Sequence, residues 1–274
     1  MAPEYIHSYS PMEQTRLMAQ AEFLAPYHHP SMEFGAEDHV LEIGCGVGAQ
    51  MNILLKTHGS RKITGIDFSP EQIAKARILL TENIAQGKAE LIQGSGVCMP
   101  FADNSIDVVY IFWVLEHFYN PLAILKDALR VLKPGGKFYC TEVFNAGVYI
   151  DPPSTFLRKY WDQFNQLQSS IGGNPDIGIK LANYFLGAGY IVERFTPVPP
   201  MMDKRMTDPI ERAYFLDMWE ALYLSGYELL LEKGLVEPGD DQRLLEEYDK
   251  LRHNPDSIYK YSAYQVLARK PAAL

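Results

Sequence analysis

The chain is poor in cysteine, in basic runs and in long apolar stretches, and each shortage closes off a class of function. Its 274 residues include three cysteines, Cys45, Cys98 and Cys140. They lie far apart, with neither CxxC spacing nor a clustered histidine, so neither a structural zinc site nor a disulfide framework is expected. A reducing compartment fits, and no metal is expected. Lys and Arg number 25 against 34 Asp and Glu, for a formal net charge of -9, and no basic run could neutralise a phosphate backbone, so nucleic acid is not an expected partner. The opening stretch MAPEYIHSYSPMEQTR carries acids and no apolar signal segment. No later stretch approaches the roughly 18 uncharged apolar residues of a membrane span. The expectation is a cytoplasmic protein with no membrane partner. Internal repeats and low-complexity tracts are also missing.

What is present is a 47% hydrophobic content, enough for one large α/β domain or one domain with a sizeable embellishment. From Val40 short β-rich runs alternate with longer helical ones, the pattern of a parallel sheet flanked by helices. Strands are predicted at 39–43, 62–66, 89–93, 106–112, 137–143, 190–196 and 258–268, and helices at about 48–58, 70–86, 120–132 and 176–188. Ser69 can cap the second of these helices, with Pro70 in its first turn. Residues 1–30 read as an N-terminal helical cap, with Ser10 as N-cap and Pro11 in the first turn. Residues 31–198 and 257–274 read as the core, with 145–175 as a substrate-side insertion and 199–256 as a helical lid. Both insertions leave strands of the parallel direction, so both emerge at the carboxyl edge of the sheet, where open α/β folds bind ligands. Their rings are Tyr149, Phe156, Tyr160, Trp161 and Phe164 in the first and Tyr214, Phe215, Trp219, Tyr223 and Tyr227 in the second, with Met201 and Met202 between. Helical spacing such as that of Phe215, Trp219, Leu222 and Tyr223 points to core packing, yet some rings should face an enclosed, mostly apolar cavity.

The stretch VLEIGCGVGAQ, residues 40–50, carries the cofactor question. It can be read as the dinucleotide turn Gly44-x-Gly46-x-x-Ala49, or as Glu42-x-Gly44-x-Gly46-x-Gly48. Glu42 would stand at the end of the first strand, where a carboxylate repels a pyrophosphate. The same carboxylate attracts a cofactor bearing a sulfonium and an ammonium. S-adenosylmethionine is therefore favoured over a nicotinamide dinucleotide. The glycines let backbone approach the ligand closely, and Asp67 falls where an acid grips ribose hydroxyls.

VLEIGCGVG, GIDFSP, the stretch GSGVCMPFADNSIDVVYIFWVLEHF at 94–118 and ALRVLKPGGKF together resemble the ordered motifs of class I S-adenosylmethionine-dependent methyltransferases, in the branch with quinone and sterol methyltransferases. The likeness spans residues 40–143. It implies an α/β, Rossmann-like, seven-stranded, mostly parallel sheet with helices on both faces, plus the N-terminal helix and helical lid insertions. It also implies S-adenosylmethionine as cofactor, with Glu42, Gly44, Gly46 and Gly48 at the methionine end and Asp67 on the ribose. Phe68 and Ser69 would lie beside the adenine, and Gly94, Ser95, Gly96 and Phe112 would complete the nucleoside pocket. Ser95 stands where the family commonly has an acid.

The resemblance implies methyl transfer to a small, largely apolar or aromatic metabolite at carbon, nitrogen or oxygen, in secondary metabolism by expectation. An in-line displacement needs alignment and dryness more than a fixed catalytic signature. Where the acceptor loses a proton, His117 is the first candidate base, with Glu116 and Tyr149 beside it, and Glu142 and Asp151 also fall just after strand ends. His28 and His29 read as surface residues, and Tyr9 and Gln14 as groups that close over the cofactor. A methyltransferase-like binding protein and a nicotinamide-dependent oxidoreductase are the alternatives. Oligomeric state is left open, a homodimer included.

Overall fold

The structure, a computed structural model, describes residues 6–7, 9–58 and 62–272. The first five residues of the predicted cap, Ser8 and the last two residues of the predicted core lie outside the described residues. Helix α1 (Pro11–His28) starts as expected, the Ser10 hydroxyl accepting the Glu13 N–H at 3.2 Å. There follow β1 (His39–Ile43), α2 (Ala49–Thr57), β2 (Lys62–Asp67), α3 (Pro70–Leu79), α4 (Thr81–Ala85), β3 (Ala89–Gln93), β4 (Ile106–Phe112), α5 (Pro121–Val131) and β5 (Leu132–Val143). The second half holds β6 (Tyr149–Asp151), α6 (Thr155–Ser170), α7 (Leu181–Ala188), β7 (Ile191–Val198), β8 (Met201–Met202), α8 (Pro209–Leu224), α9 (Tyr227–Glu232), α10 (Asp240–His253), β9 (Ile258–Lys260) and β10 (Ala263–Arg269). Among the described residues no helix is long and apolar enough to cross a membrane.

The seven-stranded sheet has the order β3-β2-β1-β4-β5-β10-β7. Strands β1 to β5 pair in parallel, and β10 runs antiparallel between β5 and β7. Strand β7 therefore keeps the parallel direction. The order reverses between β1 and β4, and such a switch point opens a crevice at the carboxyl ends of the strands. Val40 and Leu41 are both fully buried, as neighbours on a strand covered on both faces must be. Leu41, Ile43, Val109 and Ile111 pack with α5 and α7, while Val40, Val108 and Tyr110 pack with α2 and α3.

Two predicted elements are divided. The helix expected over 70–86 breaks at Leu80, where the Thr81 hydroxyl donates to the carbonyls of Arg77 and Ile78, both at 2.9 Å, and competes with the backbone ladder. The strand expected over 258–268 breaks at Tyr261, whose N–H donates to the Pro200 carbonyl at 3.0 Å. Strand β9 thereby leaves the main sheet and pairs with β6 and β8 in a three-stranded antiparallel sheet that the strand pattern does not reveal.

A third core joins Phe23 and Leu24 of α1 to α6, α8, α9, α10 and the small sheet. Its centre is aromatic: Trp219 stacks on Tyr261 at 4.1 Å, and Trp161 on Tyr223 at 4.3 Å. The insertions thus carry their own hydrophobic centre, which meets the main sheet through Val143, Val198 and Ala263 and α1 through Phe23 and Leu24. Trp219→Ala is expected to destabilise the protein by roughly 3–5 kcal/mol, read as a lower urea midpoint. Met12→Ala, at an exposed position of α1, should stay within about 0.5 kcal/mol.

Candidate active site

The turn after β1 is built by three left-handed glycines, Gly44, Gly46 and Gly48, with φ of 74°, 50° and 77°. They serve different ends. A Cβ on Gly44 would lie 2.5 Å from Val114, and one on Gly48 would lie 2.9 Å from Leu80. Those two glycines let the turn pack against the protein itself. A Cβ on Gly46 would meet nothing within 4 Å, so the space beside it is open to a ligand. Asp67 at the end of β2 fixes this arrangement: Oδ2 accepts the Gly46 N–H and Oδ1 accepts the Ser69 N–H, each at 2.9 Å. Its carboxyl is raised by burial, against the pull of those backbone bonds.

Glu42 is 3% exposed and accepts the Tyr110 hydroxyl at 2.5 Å. Burial pushes its carboxyl up to about 8, the hydrogen bond from Tyr110 opposing and the charge of Asp67 adding to the shift. Near neutral pH the carboxyl is then mostly protonated until a cation enters beside it. A sulfonium and an ammonium are such cations, so the residues fit that donor; a diphosphate would only raise the carboxyl further.

Between these groups lies a cavity of about 490 Å³. Of the predicted site residues, Glu42, Gly44, Gly46, Asp67, Phe68, Gly94, Ser95, Gly96, Phe112 and His117 line it, as does Tyr9, which meets Phe68 edge-on at 6.2 Å. Others have different work. Gly48 packs under α3, and the Ser69 hydroxyl accepts the Gln72 N–H at 3.2 Å while donating to Glu71 at 2.8 Å, so it caps α3 rather than facing the cavity. Gln14 reaches Gln72 at 3.3 Å instead of the cavity. Tyr149 is 55% exposed on β6 and lines neither this cavity nor the smaller one described below, which removes it from the candidate bases. Asp151 likewise lines neither.

The walls away from the glycine turn come from Ile6, Leu17, Tyr119 and Ile171, which lie outside the motifs, and from Trp113 and Phe118, which lie within the 94–118 stretch without a role implied by the resemblance. None of the insertion rings lines this cavity; Trp161 and Phe164 line a smaller one, of about 30 Å³, Tyr149 and Tyr214 are exposed, and the rest belong to the third core or pack against it. The two cavities share Leu17, Gln20, Trp113 and His117. Trp113 has φ 54°, an unusual conformation for a bulky residue, and its ring stacks on Phe112 at 5.6 Å.

His117 is partly buried, and that burial with the Arg16 guanidinium nearby holds it down to about 4. Its Nε2 lies 3.7 Å from Glu116, which lines the smaller cavity and accepts the Gln168 amide at 2.7 Å. Burial raises Glu116 to about 7, with Gln168 and Arg16 opposing. Glu142 is corrected from candidate base to scaffold: its carboxyl accepts the N–H groups of Val114, Leu115 and Glu116 at 2.9, 2.7 and 3.3 Å and so shapes the turn that presents His117. His28 and His29 are not on the surface. His28 is fully buried, with its ring 4.5 Å from that of Phe112, and His29 bonds to Gln50 at 2.7 Å. Among the described residues no group of three or more His, Cys, Asp or Glu could hold a metal ion.

Residues 41–140 match the family described as Methyltransferase domain. The chain is 31% identical over 171 residues to a demethylmenaquinone methyltransferase of Listeria monocytogenes, covering 57% of this chain and 71% of that protein. It is 33% identical over 162 residues to an uncharacterised 37.1 kDa transposon protein of Streptomyces fradiae, 59% of this chain and about half, 46%, of that relative's length. Among solved structures, the 4+2 cyclase SpnF superposes with a TM-score of 0.59 at 20% identity, covering 93% of this chain and 82% of that one. Geranyl diphosphate C-methyltransferase of Streptomyces coelicolor, solved with S-adenosyl-L-homocysteine, superposes with a TM-score of 0.53 at 15% identity, covering 92% and 78%. These likenesses speak for the fold alone, and the cyclase among them shows that the reaction must be sought in the site.

Because cation binding lowers the Glu42 carboxyl from its raised value, S-adenosylmethionine binding should release a proton and tighten as pH rises toward about 8, then level off. Calorimetry in buffers of different ionisation enthalpy reads this, and Glu42→Gln should abolish the proton release. Gly46→Val should prevent binding by filling the open side of the turn. Asp67→Ala should weaken it by about 1–3 kcal/mol.

Proposed function

The chain belongs to the class I S-adenosylmethionine-dependent methyltransferases, and on that premise we propose that it methylates a small, largely apolar or aromatic acceptor held at the His117 end of the main cavity. One observation carries this reading: a single cavity runs from Glu42, Gly46 and Asp67 to walls of Leu17, Trp113 and Ile171. S-adenosylmethionine, when bound, supplies a methyl group on a sulfonium whose leaving group departs neutral. What remains for the protein is to orient the acceptor, exclude water and receive a proton where one is lost.

In this reading Glu42, Gly44 and Gly46 hold the methionine end, Asp67 takes the ribose hydroxyls, and Phe68, Gly94, Ser95, Gly96 and Phe112 enclose the nucleoside. Leu17, Trp113 and Ile171 hold the acceptor's apolar face. His117 is neutral above about pH 4 and receives the acceptor's proton on its ring nitrogen. Glu116, 3.7 Å away, stabilises the imidazolium once its own carboxyl has ionised. The name of the demethylmenaquinone methyltransferase relative makes a naphthoquinol the first acceptor to try.

The test is transfer of label from methyl-labelled S-adenosylmethionine to naphthoquinol and phenolic acceptors, identified by product mass. Donor binding with no product across such acceptors would favour the non-catalytic binding protein instead. For an acceptor that loses a proton, kcat should rise with pH through about 7 and then level, since Glu116 must be ionised. Glu116→Gln should remove that limb. His117→Asn should lower kcat by roughly 10²–10⁴-fold, with a smaller effect on donor affinity.

A further inference from the structure

An open groove lies beside the apolar walls of the main cavity. Phe118, Tyr119, Ile171 and Gly173 line the cavity, and they also line this groove of about 870 Å³, which continues past the end of α6 to Lys180 and Tyr184. The groove therefore adjoins the cavity across these four residues. Its wall is preformed: the Gly173 N–H donates to the Gln168 carbonyl at 2.9 Å and the Asn174 N–H to the Glu116 carbonyl at 2.7 Å. A Cβ on Gly173 would lie 2.6 Å from that same Glu116 carbonyl, so glycine is what lets the loop lie so close. Tyr119, which lines both, is 92% exposed, a large ring left in water.

The groove's charge differs from that of the molecule. On a chain of formal net charge -9, no Asp or Glu lines it. Lys180 makes no ion pair among the described residues, its ammonium donating one long bond, 3.4 Å, to Asn174. We propose that cavity and groove open into one another beside Tyr119 and that the acceptor is elongated: its reacting ring sits in the cavity, a chain passes Tyr119 into the groove, and an anionic group at the far end of that chain pairs with Lys180. This rests on the acceptor site proposed above and narrows the substrate class from a compact ring to a ring bearing a long, acid-terminated substituent.

Three probes separate the two readings: 1-naphthol, 4-hydroxynaphthalen-1-yl hexanoic acid and the methyl ester of that acid, titrated by calorimetry with S-adenosylhomocysteine present. The acid and the ester should bind about tenfold more tightly than 1-naphthol through the buried chain, and the acid about threefold more tightly than the ester. Lys180→Ala should erase the difference between acid and ester and keep the chain's advantage. Ser170→Trp, which fills the groove, should erase the chain's advantage and leave 1-naphthol unchanged. Equal affinities for all three probes in the unaltered protein would overturn the groove while leaving the ring site standing. An acid no tighter than its ester would overturn the pairing with Lys180. Failure of every probe to bind, with S-adenosylhomocysteine still bound, would overturn the aromatic acceptor site and the groove with it.

Discussion

A carboxyl buried at the end of the first strand is the constraint around which this site is organised. Ionised in a dry environment Glu42 would cost several kcal/mol, and the fold meets that cost with the Tyr110 hydroxyl and by leaving the proton on near neutral pH. The group is held ready for a cation. Glycine turn, neighbouring acid and cavity are all placed so that the cation which relieves it is the donor's own.

Glu42, Asp67 and Glu142 all stand on strands near the carboxyl edge of the sheet, and they divide the labour. Asp67 on β2 holds the glycine turn and the start of α3 through backbone N–H groups, and Glu142 at the end of β5 gathers three N–H groups of the turn before His117. Parallel strands all deliver their ends to one edge, so acids far apart in sequence reach the same crevice. Two of them are largely occupied in shaping backbone. That occupation explains why Glu142, well placed in sequence for acid–base work, is scaffold, while Glu116 and His117, on the turn it shapes, border the cavities.

Much of this was legible because local rules and global fold agree. The parallel strands, the capped starts of α1 and α3, and the cofactor side of the cavity follow from alternation, capping residues and the spacing of Glu42, Gly44, Gly46 and Asp67. The acceptor side was not legible. Trp113 and Tyr119 sit in loops whose periodicity is uninformative, Ile6 reaches the cavity from a segment before α1, and Ile171 and Gly173 come from a turn after α6. The rings that spacing did single out pack against each other, because α6 and α8 have a full hydrophobic partner in the second sheet and α10.

The sequence by itself determined the doubly wound sheet through strand period, and it pointed to the donor through turn glycines, one acid before them and the resemblance of its ordered motifs to a known family. Tertiary structure alone decided what lies opposite the donor. The break at Tyr261, the burial of His28 and His29 and the place of Tyr119 between cavity and groove depend on neighbours distant in the chain. The value of a side chain there is set by what packs against it, and no period in the sequence encodes that.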